Sequence, residues 1–152
     1  MTVPSEFGVR ETDLVELVVP NDLQSARQVE KRIMDRLARC RYGAAVTFAI
    51  KLALEEALTN AVKHGNDNDA SRQLVVRYSV DRERTIIMVR DEGLGFAPTG
   101  LPDPTSDENL ERPSGRGIML MQAYMTRVHF NDAGNEVWML KTNPQARSAS
   151  PA

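Results

Sequence analysis

Glu56 and Asn60 stand four residues apart in the apolar-periodic run from Phe48 to Val62. Residues at this spacing project from the same face of an α-helix, so one carboxylate and one amide can meet the same ligand. The carboxylate can accept the proton of an attacking hydroxyl or water, and the neutral amide oxygen is a hard ligand suited to magnesium that arrives on phosphates. The pair therefore indicates phosphoryl-transfer chemistry.

Two glycine-containing segments follow this pair in a fixed order. The first runs from Asp91 through Gly93 to Gly95 after a run of apolar residues, and the second is Gly115-Arg116-Gly117. Asp91 can accept a hydrogen bond from an adenine amino group, while the glycines beside it let the backbone approach the purine. Glycines at a helix start expose backbone N–H groups to phosphate oxygens. The ordered set of three segments predicts a magnesium-ATP site, whereas each segment alone is a weak signal.

Each segment also has a purely structural interpretation: a solvent-facing helix surface for the first, a strand-ending turn for the second and a flexible hinge for the third. Adjacent glutamates such as Glu55 and Glu56 usually lie on a solvent-facing helix surface. Against this, Asn60 stands in an otherwise apolar stretch, where a buried amide without partners costs roughly 1–3 kcal/mol. A dinucleotide-binding loop needs Gly-x-Gly-x-x-Gly opening a helix directly, and here Phe96-Ala97-Pro98 follows Gly95 instead. The dinucleotide interpretation is therefore rejected.

Length and composition bound the remaining possibilities. The 152 residues suffice for one domain with a continuous core, and the 19 Lys+Arg against 21 Asp+Glu give a net charge of −2. This balance offers no electrostatic reason to expect nucleic acid or a membrane as partner. Cys40 is the only cysteine, which excludes an internal disulfide and multi-cysteine metal sites. With no signal peptide or membrane span expected, we predict a cytoplasmic protein.

The first half of the chain predicts one strand and two helices. Glu11 to Val19 is rich in β-branched and apolar residues and predicts a strand that Pro20 ends. Asn21 or Asp22 then caps a helix that Gly43 closes. The next helix runs from Ala44 to Lys63. It is expected to stop at His64-Gly65-Asn66, with Gly65 supplying a left-handed cap.

The second half predicts two hairpins separated by a long loop and a helix. The hairpins pair the segments around 74–80 with 85–90, and 128–131 with 136–142. Between them, Ala97 to Ser114 lacks apolar periodicity and predicts a lid, and a helix begins at Gly115. The expected fold class is α+β: a two-layer sandwich whose mostly antiparallel sheet carries helices on one face. The predicted divisions are an extension at 1–10, the domain at 11–142 and a disordered tail at 143–152.

These motifs resemble a known superfamily. A helix with Glu-x-x-x-Asn, Asp-x-Gly-x-Gly after a strand, a variable lid and Gly-x-Gly opening a helix are similar to the GHKL (HATPase_c) ATPases, whose fold is the Bergerat type. Within it, the stretch from Glu56 to Asn66 resembles the bacterial anti-sigma-factor serine/threonine kinases. Many members also carry Gly-Thr at the start of the final strand, where this chain has Gly134 followed by Asn135 and Glu136.

The resemblance implies a role for each matching residue. Glu56 is the expected catalytic base and Asn60 the expected magnesium ligand. His64, at the end of the same helix, is counted among the nucleotide-binding residues but not as a base. The other implied nucleotide-binding residues are Asp91, Gly93, Gly95, Arg112, Gly115, Arg116 and Gly117. Either lid-side arginine, Arg112 or Arg116, could reach a γ-phosphate, and the sequence does not choose between them.

Three functions remain open at this stage. The first is an ATP-dependent serine/threonine kinase that acts as an anti-sigma factor. The resemblance then implies a sigma factor as partner, a STAS-type anti-anti-sigma protein as phosphoacceptor, and a homodimer. The second is a protein-binding module that nucleotide gates, without kinase activity. The third is the ATP-binding half of a split two-component kinase that phosphorylates histidine on another chain. Glu56 favours the first, because a pure binder needs no base near the γ-phosphate.

Overall fold

A five-stranded antiparallel sheet forms one layer of the molecule. The computed structural model describes residues 2–93 and 115–148. Neighbouring strands pair in the order β1-β2-β3-β5-β4, and all four pairings are antiparallel. The strands are β1 Val15–Pro20, β2 Gln73–Val80, β3 Arg84–Arg90, β4 Arg127–Phe130 and β5 Glu136–Thr142. Both predicted hairpins are confirmed, and Gly134 in the second turn has φ of 76°.

Three helices pack on one face of this sheet. Asp22 begins the first of them as predicted, because its carboxylate accepts a hydrogen bond from Ser25 N at 2.7 Å. The helices of the described residues are α1 Leu23–Arg39, α2 Ala44–Thr59, α3 Gly115–Tyr124 and the short α4 Pro144–Ser148. In the described part of the chain, none of them is both long and apolar enough to cross a lipid bilayer.

The main core lies between the sheet and α1 to α3. Side chains of Leu74, Val76 and Tyr78 on β2 point into it, since alternate residues of a strand face the same side. Ile33 and Leu37 of α1 meet them from the helical layer and are fully buried. The α+β class with an antiparallel sheet and helices on one face is thus confirmed.

The N-terminal segment covers part of the opposite face of the sheet. Val3 and Phe7 pack there against a second apolar cluster that includes Met88 and Trp138. The Arg84 guanidinium donates to the carbonyl of Phe7 at 3.0 Å and holds the segment down. The residues predicted as a simple extension therefore contribute to a core of their own.

The first strand is shorter than predicted. Residues Glu11–Asp13 form a 3-10 turn, and the Glu11 carboxylate accepts from the N–H of Val3 and pairs with Arg77 at 2.7 Å. Strand β1 therefore starts only at Val15, and it includes Pro20, which an edge strand tolerates because no partner needs its missing N–H. The predicted start at Glu11 was therefore wrong by four residues, and the predicted last residue, Val19, was wrong by one.

Two of the predicted glycine caps were also wrong. Helix α1 ends at Arg39, and the left-handed residue after it is Arg41 with φ of 61°, whereas Gly43 caps the start of α2. Helix α2 ends at Thr59 and continues as a π-helical turn over Asn60–Gly65. The left-handed residues beyond that turn are Asp67 and Asn68, so Gly65 serves another purpose, described below.

The segment after β5 differs from the predicted disordered tail. Asn143 is buried, its N–H donates to the carbonyl of Glu83 at 2.8 Å, and its side chain donates to the carbonyl of Arg82 at 2.9 Å. These bonds tie the segment to the β2–β3 turn, and α4 follows at Pro144–Ser148. Residues 149–152 lie outside the described residues.

Candidate functional site

Glu56 and Asn60 meet the start of α3 at one end of a cleft. A Cβ placed on Gly117 would lie 2.5 Å from Glu56 Oε2 and 3.4 Å from Asn60 Nδ2. The glycine therefore allows the first turn of α3 to approach the polar end of α2 closely. The structure thus brings the first and third sequence motifs together, with the carboxylate and the amide side by side as their spacing predicts.

Glu55 turns to the other side of α2. It lies beside Glu30 of α1. Both residues line a cleft between α1 and α2, together with Leu23 and Thr59. Burial raises the pKa of Glu30 to about 7, with the neighbouring Glu55 carboxyl acting in the same direction. Only Glu56 of the adjacent pair therefore faces the start of α3.

Asp91 lies in a pocket that two glycines make possible. A Cβ on Gly65 would overlap the Asp91 carboxylate, and a Cβ on Gly93 would overlap the carbonyl of Gly65. The position of the carboxylate is fixed by Gly93 N, which donates to Asp91 Oδ1 at 2.8 Å. We call Gly65, Asp91 and Gly93 the Asp91 pocket. The wide π-helical turn of α2 brings Gly65 to this position, which explains why a glycine stands there without a left-handed φ.

The Asp91 pocket also changes the acidity of its carboxyl group. Burial raises the pKa of Asp91 to about 6, against the hydrogen bond from Gly93 N and the charge of Arg72, which both lower it. Arg72 stays near because its Nη1 donates to the carbonyl of Gly65 at 3.3 Å. A ligand that donates a hydrogen bond to the Asp91 carboxylate would stabilise its ionised form.

A cleft runs from the Asp91 pocket towards Asn60. Its walls are mainly apolar, with polar groups at the two ends, which is the usual composition of a small-molecule site. The lining residues are Ala57, Asn60, Ala61, Val89, Asp91, Met121, Phe130, Gly134, Asn135, Glu136 and Val137. Such a cleft is complementary to a flat ring that has apolar faces and a hydrogen-bond donor on its edge.

Asn135 and Arg72 are site residues that the sequence interpretation missed. The carbonyl of Asn135 accepts from Asp91 N at 3.0 Å, and its side chain donates to the carbonyl of Gly93 at 3.4 Å. Asn135 holds the position where many GHKL members have threonine, so that departure from the family pattern was the available signal. Arg72 lies in a polar loop, and no sequence pattern around it indicated a role in the site.

The remaining predicted residues fall into three groups. Gly115 and Arg116 belong to the first turn of α3, although the Arg116 side chain is outside what the structure describes. Gly95, Arg112 and the predicted lid at Ala97–Ser114 also lie outside the described residues. His64 is half-buried in the π-helical turn, and among the described residues it does not line the cleft.

The donor set fits magnesium carried on a nucleotide. Asn60 offers one neutral oxygen beside the Glu56 carboxylate, whereas a metal bound by protein alone would need more ligands. No group of three or more His, Cys, Asp or Glu residues is placed to hold a metal among residues 2–93 and 115–148. Because magnesium commonly takes most of its ligands from phosphates and water, a single protein oxygen such as that of Asn60 would suffice to anchor it.

Comparisons with known proteins show which families the chain is similar to. A 34% identity over 98 residues relates the chain to an anti-sigma F factor of Clostridium perfringens, covering 60% of this chain and 69% of that one. The serine-protein kinase RsbW of Bacillus subtilis is 27% identical over 136 residues, with 85% of each chain covered. The fold also matches the RsbU and RsbW domains of a Mycobacterium tuberculosis protein, at 17% identity and a TM-score of 0.57. That match covers 86% of this chain and 32% of the other.

The family model for the histidine kinase-like ATPase domain matches residues 19–141. This range begins near the end of β1 and finishes within β5, so it includes the whole cleft and both of its polar ends. The chain is therefore a member of the histidine kinase-like ATPase family, the GHKL superfamily.

Proposed function

We propose that this protein is an ATP-dependent serine/threonine kinase that acts as an anti-sigma factor. The observation that carries the proposal is the arrangement of the cleft. Asp91 lies at one end in a pocket that only glycine at position 65 permits, and Glu56 and Asn60 lie at the other end beside Gly117. One end can recognise an adenine edge and the other can act on phosphate.

In this proposal the Asp91 pocket recognises the adenine base. The carboxylate accepts a hydrogen bond from the adenine amino group, while the absence of side chains at Gly65 and Gly93 leaves the purine edge close to the backbone. Val89, Met121 and Phe130 contact the faces of the ring in the apolar middle of the cleft. Guanine carries a carbonyl oxygen where adenine carries this amino group, and that oxygen cannot donate a hydrogen bond to the Asp91 carboxylate. The pocket therefore selects adenine over guanine.

Glu56 then acts as the general base. It takes the proton of a serine or threonine hydroxyl as the hydroxyl oxygen forms a bond to the γ-phosphorus. The bond from that phosphorus to the bridging oxygen breaks, and ADP leaves with the electron pair. Asn60 would hold a magnesium ion, which would neutralise part of the charge on the phosphates. Gly115, Arg116 and Gly117 face the phosphates with the backbone N–H groups of the first turn of α3.

The proposed partners follow from the relatives. An anti-sigma F factor and a serine-protein kinase are among the similar curated proteins. For this chain we propose a sigma factor as the protein it holds, a STAS-type anti-anti-sigma protein as the phosphoacceptor, and a homodimer as the working form. Neither nucleic acid nor a membrane surface is needed for this activity.

Transfer of labelled phosphate tests the kinase. The protein is incubated with magnesium and γ-labelled ATP together with a STAS-type protein that it binds. We expect acid-stable label on a serine or threonine of the STAS-type protein and no stable label on this chain. The Glu56→Gln variant is the matched control, which should bind ADP but transfer little phosphate.

Two other outcomes would identify the alternatives. Acid-labile label on a partner would indicate transfer to histidine and hence the ATP-binding half of a split two-component kinase. Complex formation that depends on nucleotide, with no transfer at all, would indicate a binding module. The carboxylate of Glu56 at the polar end of the cleft favours the kinase over the module, because binding alone has no use for a base there.

A further inference from the structure

Asn66 is a fully buried polar residue next to the site, and none of the roles described so far uses it. It follows the π-helical turn and its side chain is 0% exposed. A buried amide is costly unless its donors and its acceptor are all partnered. Its partners therefore show what the residue holds in place.

The Asn66 side chain joins three separate parts of the fold. Its Nδ2 donates to Asn21 Oδ1 and to the carbonyl of Gln73, both at 3.0 Å. Its Oδ1 accepts from the backbone N–H of Glu92 at 2.8 Å. Asn21 lies between β1 and the α1 cap, Gln73 opens β2, and Glu92 follows β3. Both amide donors and one acceptor site are thus occupied.

The bond to Glu92 matters most for the site. Glu92 stands between Asp91 and Gly93, so its N–H belongs to the turn that forms the Asp91 pocket. Within that turn, Gly93 N donates to Asp91, and Asp91 N donates to the carbonyl of Asn135. These bonds fix the two flanks of the turn, and Asn66 supplies the acceptor for the peptide between them.

We propose that Asn66 is a positioning residue for adenine recognition, because its side chain holds the Glu92 N–H and thereby aims the Asp91 carboxylate into the cleft. The inference rests on the proposed function of the Asp91 pocket. It assigns Asn66 an effect on nucleotide affinity and none on phosphate transfer, since Glu56 and Asn60 lie at the other end of the cleft.

Two variants separate this role from a general loss of stability. Asn66→Ala removes the acceptor for Glu92 N–H together with both donors. Asn21→Ala, the matched control, removes a buried partner of the same amide but leaves the bond to Glu92 intact. Both variants should lower the urea midpoint, because each leaves a buried polar group without its partner.

The variants should differ in nucleotide binding. Asn66→Ala is expected to raise the Kd for ADP by at least about tenfold, while Asn21→Ala changes it by less than about threefold. In a transfer assay, Asn66→Ala should raise the KM for ATP and leave kcat nearly unchanged. Equal ADP affinity in Asn66→Ala and the native chain would overturn the proposal, as would equal losses in the two variants.

A measurement on the native protein covers the case in which Asn66→Ala does not fold. The Glu92 amide should exchange slowly with solvent deuterium in the absence of nucleotide, and more slowly with ADP bound. Exchange at the rate of an unstructured peptide would overturn the proposal. If the native chain binds no ADP, the proposed nucleotide site itself fails, which is a separate outcome from unchanged binding in Asn66→Ala.

Discussion

The Asp91 carboxylate occupies the space that any side chain at position 65 would fill. Gly65→Ala should therefore displace the carboxylate and weaken ADP binding by at least about tenfold, the loss expected when a buried polar contact is broken. Calorimetric titration with ADP measures the change. Gly43→Ala is the matched control, because the atoms nearest to the added Cβ there belong to the end of the flexible Gln145 side chain. Loss of binding in the control as well would point to a general effect of replacing glycine.

Nucleotide affinity should fall as pH is lowered through about 6. Burial raises the pKa of Asp91 to about 6 in the free protein, whereas the adenine amino group needs the ionised carboxylate as acceptor. Below this pKa the proton must first be removed, so the affinity for ADP should drop by up to about tenfold per pH unit. Titrations at several pH values between 5 and 8 check the slope. In Asp91→Asn the binding should be weak throughout, with this slope absent.

Glu56→Gln should retain ADP binding and slow phosphate transfer by about 10²–10⁴, the usual contribution of a positioned general base. Glu55→Gln should slow transfer far less, because Glu55 lies on the side of α2 that faces Glu30. Single-turnover transfer to the STAS-type protein compares the two. Similar losses in both variants would contradict the assignment of the base to Glu56 alone.

The contribution of Glu30 to the stability of the free protein should fall as pH rises from about 4.5 to 7. Burial raises the pKa of Glu30 to about 7 from its ordinary value of 4.5, so the folded state binds a proton that the unfolded state has already lost. Glu30→Gln removes the buried charge and should raise the free energy of unfolding at pH 8, while changing it little at pH 4.5. Urea unfolding at both pH values measures this. Glu83→Gln, at an exposed turn position, serves as the control. A gain of the same size at both pH values would mean that ionisation of Glu30 is not the cause.

The parts of the fold that repeat a regular pattern could be predicted from the sequence. Alternation on β2 and the carboxylate of Asp22 gave a strand and a helix cap at their observed places. The pairing of Glu56 with Asn60 also followed from spacing alone, because four residues make about one helical turn. Such features depend on neighbours in the chain.

Features that depend on distant contacts could not be predicted in the same way. Gly65 was expected to be a helix cap, yet its place is decided by Asp91, which lies 26 residues further along. The partners of Asn66 likewise come from Asn21, Gln73 and Glu92. The segment at 143–148 was expected to belong to a disordered tail because it lies near the C-terminal end of the sequence, but its order depends on bonds to the β2–β3 turn.

The single tryptophan gives the molecule a fluorophore of its own. Trp138 is 1% exposed, its indole N–H donates to Glu136 at 2.8 Å, and the Arg77 guanidinium lies 5.9 Å from its ring centre. It sits in the apolar cluster that Val3 and Phe7 complete, on the face of the sheet away from α1 to α3. The wavelength of its fluorescence emission therefore depends on whether the N-terminal segment is packed against this face of the sheet. During unfolding, a red shift of this emission that precedes the loss of the helical circular dichroism signal would show that the N-terminal segment detaches before the domain unfolds.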